Sequence, residues 1–400
     1  MLRRTDVVVI GAGQAGLAMS RCLTDAGLDH VVLERGRVGE RWRTERWDSL
    51  RLLTPRWQTR LPGWRYQGPD PDGYMSVGET ITHLDGYARS FAAPVETGVT
   101  VRLVAPSGGG YRVATNLGAW LADNVVIATG ACDTPLVPEM AGRLAPRVRQ
   151  LVPSSYRNPA ALPEGGVLVV GASASGVQIA AELRRAGREV TLATGHHTRV
   201  PRRYRGRDIM RWLEATGILG EAAVSRRTPS LQLSAGGDVD LPALHALGVR
   251  LVGRAEAVDG ERVRVAGDLA ATSAAADARL ERLLARIDAF IHTRGLDAGP
   301  ATPFARAGLT APADILDLRG VGTVVWATGY VRRYPWLAAP VLYSNGELRH
   351  EGGITPAPGL YTVGQPMQRT RKSTFIDGVG DDARIIASHI AGRSGRRAAA

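Results

Sequence analysis

Gly11, Gly13 and Gly16 follow directly on the apolar run Val7-Val8-Val9-Ile10, and Glu34 stands 18 residues beyond the last glycine. A glycine turn of this spacing, set between a buried strand and a helix, offers bare backbone to a pyrophosphate. A carboxylate roughly 20 residues further on accepts hydrogen bonds from an adenosine ribose. Gly11 allows the tight turn, Gly13 removes the Cβ that would meet the phosphates, and Gly16 lets the helix pack close to the strand. The helix reads from about Gln14 to Asp25, so the amides at Gln14, Ala15 and Gly16 lie at the positive end of its dipole. His30 to Leu33 reads as the second strand, ending at Glu34 and Arg35.

The same order of residues returns about 160 positions later. Val167 to Val170 reads as a strand, Gly171-Ala172-Ser173-Ala174-Ser175-Gly176 as the turn, Val177 to Ala186 as a helix and Glu189 to Leu192 as a second strand. Ser173 replaces the middle glycine and should restrict approach of a pyrophosphate. No acid ends this second strand, which runs through Ala193-Thr194-Gly195 into His196, His197, Arg199, Arg202 and Arg203. A carboxylate there would suit a free ribose 2′-hydroxyl, whereas guanidinium groups suit a 2′-phosphate, which points to NADPH over NADH. A solvated surface run is the competing reading of these arginines.

The surrounding elements must position two such turns. The fold class expected is α/β with two Rossmann-like dinucleotide-binding domains, the second inserted into the first: residues 1–150, then 151–315, then 316–391, with a small, basic, disordered tail at 392–400. Val125-Val126-Ile127 reads as a buried strand stopping at Ala128-Thr129-Gly130. Val324-Val325-Trp326 repeats that ending with Ala327-Thr328-Gly329, a place where backbone passes close to a ligand. Val99 to Val104 and Tyr111 to Ala114 read as a hairpin, and Ile81 to Phe91 and Ala275 to Ile291 as packing helices. Four of the eight tryptophans fall between Trp42 and Trp64, in a turn-rich layer that either covers a flat ring or closes a core. The chain closes with a strand ending at Gly364 and a helix starting near Asp377-Gly378 and running to about Ile390.

Composition excludes several classes. Cys22 and Cys132 form no Cys-x-x-Cys, which removes a disulfide framework and a disulfide-reductase centre and fits a reducing cytoplasm. The start, Leu2-Arg3-Arg4 and an apolar run, is interrupted by Asp6 and three glycines, unlike a signal peptide. The net charge of +12 is almost all arginine, Lys372 being the one lysine, and it is spread without a basic tail or nucleic-acid motif. No specific nucleic-acid partner, membrane span, metal cluster or catalytic triad is expected, and a homodimer stays open.

With its two nucleotide folds, Gly39-Glu40-Arg41-Trp42, two Ala-Thr-Gly strand ends and a glycine-containing helix start, the chain resembles the flavin-containing monooxygenases and related class B flavoproteins. It is most similar to the bacterial CzcO-like flavoprotein oxidoreductases, through residues 155–159 (SYRNP), 201–208 (PRRYRGRD) and 371–378 (RKSTFIDG). The resemblance covers nearly the whole chain. It implies FAD in the first fold, NADPH in the second, hydride transfer to the flavin, and an oxygen adduct at C4a that delivers one atom to a nitrogen, sulfur or ketone centre of a small molecule. By the same resemblance Gly11, Gly13, Gly16, Glu34 and Trp42 contact or flank FAD, and Gly171, Ser173, Ser175 and Gly176 face NADPH. The residues expected to bind cofactor further include Arg41, Ala128, Thr129, Gly130, Arg199, Arg202, Thr328, Gly329, Gly364, Asp377 and Gly378. One departure is plain: in the family fingerprint F-x-G-x-x-x-H, Pro146, Val148 and Val152 stand where Phe, Gly and His would be. Two alternatives therefore accompany the monooxygenase reading, a flavin dehydrogenase or oxidase that inserts no oxygen, and a non-catalytic nucleotide-binding redox sensor.

Overall fold

The computed structural model describes residues 2–222, 231–301 and 304–398. Strand β1 (Leu2–Ile10), helix α1 (Gln14–Asp25) and strand β2 (His30–Glu34) form the expected opening unit. Val7, Val8 and Val9 are fully buried, as a parallel strand covered on both faces requires. The sheet is completed by β3 (Val95–Thr97), β4 (Val101–Ser107), β5 (Gly110–Thr115) and β6 (Gly118–Ile127), in the order β3-β2-β1-β6-β5-β4. The β4–β5 pair is the predicted hairpin. Strand β6 is shared: its first half pairs antiparallel with β5, and Val125 to Ile127 pair in parallel with the closing strand Leu360–Thr362. That pairing returns the chain to the first domain.

A second sheet of five parallel strands runs Arg250–Val252, Val190–Ala193, Gly166–Val170, Val321–Trp326, Arg149–Leu151. Two expected boundaries therefore move. Arg149–Leu151 and Val321–Trp326 belong to this second sheet and not to the flanking parts of the first domain, because Val321–Trp326 lies in register between Gly166–Val170 and Arg149–Leu151. The predicted tail is also corrected in part. The final helix runs from Val379 to Ala398, and its alanines and arginines favour continued helix, whereas 399–400 lie outside the described residues.

Apolar clusters cover both faces of each sheet, with α1, α3 (Val77–Ser90) and the final helix on one face of the first sheet. A fifth cluster joins the long helix Leu269–Arg294 to residues 200–219, and takes Leu53, Trp57 and Phe375 from the first domain. The tryptophan-rich layer thus closes cores and the seam between domains. Trp47 is buried in the core of the second domain, Trp57 lies against the fifth cluster, and Trp64 stands 5.9 Å from the His83 ring and 6.2 Å from that of Tyr87. No helix among the described residues is long and apolar enough to cross a membrane.

Candidate functional site

The two glycine turns are joined to their sheets by the same pair of backbone bonds. In the first, Gly11 donates to Leu33 O at 2.8 Å and Ala128 donates to Ile10 O at 2.9 Å. In the second, Gly171 donates to Ala193 O at 2.9 Å and Ala327 donates to Val170 O at 2.8 Å. Each Ala-Thr-Gly strand end lies beside the glycine turn of its own domain, so Ala128-Thr129-Gly130 belongs to the first unit and Ala327-Thr328-Gly329 to the second. Gly11 and Gly171 have φ of +106° and +109°, and a Cβ on either would meet the carbonyl oxygen of Ala128 at 2.7 Å or of Ala327 at 2.4 Å. A Cβ on Gly16 or Gly176 would sit 1.8 Å from the carbonyl oxygen of Gly11 or Gly171. These four glycines are demanded by the protein itself.

Gly13 is different, because a Cβ there would meet nothing within 4 Å. Its φ of −82° suits any residue. Packing gives no reason for glycine at 13; an incoming pyrophosphate does, and the open cradle fits a dinucleotide. No side chain caps α1 and its first turn carries no acid, which leaves the positive end of the helix for an anion. At the matching place Ser173, with a φ of −82°, begins helix α4 (Ala174–Arg185) without using its hydroxyl as a cap.

The strand ends differ more. Ile10 pairs with Leu33 and Val170 with Ala193, so Thr194 is the positional counterpart of Glu34. Glu34 is only 9 % exposed and its carboxylate accepts from the amides of Ala12 at 2.8 Å and Gly36 at 2.9 Å, fastening the glycine turn to the loop beyond β2. Thr194 is fully buried, and both its amide and its hydroxyl donate to Val252 O at 3.0 Å.

The remaining predicted residues frame the first turn. Gly39 donates to Ala12 O at 3.0 Å, and helix α2 (Glu40–Thr44) carries Arg41 to Asp133 at 2.6 Å and to the carbonyl of Cys132, which fastens the loop after β6. Trp42 is half-buried against the first core, with the Arg46 guanidinium 5.0 Å from its ring, while Arg35 is largely exposed. Gly364, at φ +78°, lies against Ala15, and Gln14 Nε2 donates to Thr374 O at 3.4 Å. The side chain of Asp377, 6 % exposed, stands before the final helix and is held by Arg60 at 2.5 Å and Lys372 at 3.5 Å. A Cβ on Gly378 would sit 1.7 Å from Lys372 O.

Around the second turn, Thr328 donates to Leu136 O and Leu136 donates to Gly329 O at 2.9 Å, where the two interdomain crossings pair. The segment Tyr156-Arg157-Asn158 ties the domains together: Arg157 donates to Arg46 O at 3.3 Å and Asn158 to Asp48 at 2.6 Å. Burial, and then the Glu182 carboxylate 3.0 Å away, holds the Tyr156 phenol protonated well above its usual range. Val152, at the fingerprint histidine's place, is half-buried in an apolar cluster with Val148, and its carbonyl accepts from the amides of Ser155 and Tyr156.

The expectation that Arg199 and Arg202 face a 2′-phosphate does not describe them in this structure. Arg199 is 9 % exposed and bonded to Asp240 and Asp277, and Arg202 is bonded to Asp208 and to Leu53 O. Buried guanidinium groups need counter-charges, and these have them. Sequence reading missed Arg279. From the long helix its Nη2 donates to His197 O at 2.7 Å, just past the strand end at Thr194, a contact spanning 82 positions that no local pattern discloses.

Comparison with known proteins agrees with this architecture. A family model described as pyridine nucleotide-disulphide oxidoreductase matches residues 8–215, which include both glycine turns. An uncharacterized CzcO-like oxidoreductase of Geobacillus kaustophilus is 34% identical over 388 residues, covering 96% of this chain and 98% of the relative. A probable indole-3-pyruvate monooxygenase, YUCCA1 of Arabidopsis thaliana, is 33% identical over 187 residues, 44% of each chain. Among solved structures, a flavin-containing monooxygenase from Stenotrophomonas maltophilia shares the fold with a TM-score of 0.71, at 22% identity, over 98% of this chain and 99% of that one.

Proposed function

Because the chain belongs to the pyridine nucleotide-disulphide oxidoreductase family, and within it to the CzcO-like oxidoreductases, we propose that it is an NADPH-reduced, FAD-dependent monooxygenase acting on a nitrogen, sulfur or ketone centre of a small organic molecule. It is a flavin-dependent oxidoreductase and its cofactors are FAD and NADPH. The disulphide branch of the family does not suit it. Cys22 is buried, its thiol pushed up to about 11 chiefly by that burial, and Cys132 stands far from it in sequence without a Cys-x-x-Cys partner. The observation that carries the reading is the open Gly13 position between two glycines that the protein itself requires, repeated with one substitution in a second unit.

When bound, the flavin accepts a hydride from NADPH and activates molecular oxygen. The protein's share is binding, orientation and exclusion of water. Gly13 and the amides opening α1 receive the pyrophosphate. Each Glu34 oxygen, already accepting one amide, keeps a further lone pair for a ribose hydroxyl. The N-terminus of the final helix, beside Asp377 and Gly378, favours negative charge arising on the flavin. The tryptophan-lined seam keeps the two domains together and water out.

The test is turnover under labelled oxygen with NADPH and a panel of tertiary amines, thioethers and ketones. The expected result is NADPH oxidation matched by one labelled oxygen atom in product. NADPH oxidation balanced entirely by hydrogen peroxide, across the whole panel, would replace the reading with that of an oxidase.

A further inference from the structure

The preference for NADPH needs a group that touches the 2′-phosphate, and the usual places for one are closed in this fold. The counterpart of Glu34 is Thr194, buried and bonded to Val252 O, and the next residue, Gly195, has no side chain. Arg199 is enclosed by Asp240, Asp277, the carbonyl of Ala305 and the Phe304 ring, which lies 4.6 Å from its guanidinium carbon. Arg202 is enclosed by Asp208, Leu53 O and the Tyr74 ring at 5.0 Å. Arg203 is exposed on a separate hairpin, bonded to Gly206 O at 2.6 Å.

Arg279 meets none of these limits. Its Nη2 bond to His197 O places a half-buried guanidinium against the turn of residues 195–197 that leaves the strand Val190–Ala193. Among the described residues no carboxylate lies within 4 Å of it, although most of the chain's half-buried arginines have one. The two acids nearest in sequence are engaged elsewhere: Asp277 has one oxygen on Arg199 at 2.9 Å and the other on the amide of Ala307 at 2.7 Å, and Glu281 accepts from Arg306 at 3.1 Å. Removing a charge from water without a counter-charge is costly, and a planar guanidinium with donors to spare matches two oxygens of a phosphate.

Resting on the NADPH reading above, we infer that Arg279 is the specificity residue for the 2′-phosphate of the nicotinamide dinucleotide, reached from the helix Leu269–Arg294 and not from the basic run after the strand. In such a site one Nη2 proton stays on His197 O while the phosphate takes an open edge of the fork, the second Nη2 proton together with Nε or Nη1, so the helix anchors the loop and reads the cofactor with one side chain.

Adenosine 2′,5′-bisphosphate carries the phosphate in question and no nicotinamide, so it reports on this position alone. Calorimetric titration of the holoenzyme with it and with 5′-AMP, in the unmodified protein and in R279A and R279Q, separates the possibilities. The bisphosphate should bind the unmodified protein more tightly than AMP. Both variants should lose about ten- to a hundredfold of its affinity, the range expected for charge-assisted bonds, with AMP binding and FAD content unchanged. R279Q keeps a donor for His197 O, so it guards against a loss that merely reports a disturbed loop. A bisphosphate preference that survives in both variants overturns the inference and leaves the NADPH reading intact. Equal binding of bisphosphate and AMP by the unmodified protein removes the NADPH reading, and the inference with it.

Discussion

The two dinucleotide units share the backbone bonds that join each glycine turn to its flanking strands and part company at two side-chain positions. Gly11 and Gly171, and Gly16 and Gly176, are interchangeable in geometry, each blocked by a carbonyl that a Cβ would strike. Gly13 faces Ser173 across the comparison, and Glu34 faces Thr194. What a Rossmann-like turn needs in order to fold is thus separable from what it needs in order to bind. The first and third glycines serve the fold, and the middle residue and the strand end serve the ligand.

The largest effect expected from breaking that comparison lies where the second unit looked most functional. Arg199→Ala should cost roughly 3 to 5 kcal/mol of stability, because it leaves Asp240 and Asp277 buried without their counter-charge. Urea unfolding measures this, and a loss below about 1 kcal/mol would return Arg199 to the list of cofactor residues. Next in size, Glu34→Ala should weaken FAD retention by roughly 1.5 to 3 kcal/mol, read from the flavin content after dialysis. Its counterpart, Thr194→Ala, should cost about 1 kcal/mol of stability for one lost bond and leave both cofactors bound. Equal behaviour of the two variants would contradict the division of labour.

Gly13→Ala should leave the melting temperature of the FAD-free protein unchanged, since nothing lies within 4 Å of the added methyl, and should still lower FAD affinity about tenfold. A lowered apoprotein melting temperature would mean that packing, not ligand, requires the glycine. Ser173→Gly should have the smallest effect, tightening NADP⁺ by less than about tenfold and reducing the hydrogen peroxide released in the absence of substrate. A retained nicotinamide shields the reduced cofactor from water, so weaker retention predicts a leaky enzyme. Val152 belongs to the same expectation, but its side chain packs against an apolar cluster that an imidazole would disturb, so Ser173 alone carries the test. An unchanged peroxide yield in Ser173→Gly would locate the leak elsewhere.

Much of this was legible in the sequence because it is local. Strand, glycine turn, helix and strand follow one another within 30 residues, and their period and spacing name them. The doubled Ala-Thr-Gly ending announced the repeat. What was not legible is set by pairing across the chain. The placement of Val321–Trp326 in the second sheet depends on its register with Gly166–Val170, more than 150 positions away. The inward turn of Arg199 depends on Asp240 and Asp277, which no spacing rule connects to it. Four tryptophans gathered between positions 42 and 64 signalled an apolar layer, and only packing shows that Trp47 and Trp57 close the seam between domains.

On the proposed function, the first unit holds FAD and the second delivers electrons from NADPH. Anaerobic titration of the purified protein with NADPH, and with NADH at the same low concentration, followed by flavin absorbance, tests it most directly. The expected result is a yellow protein carrying one FAD, bleached by one equivalent of NADPH and more slowly by NADH. Stoichiometric FMN, or a flavin that neither nucleotide reduces, would contradict it.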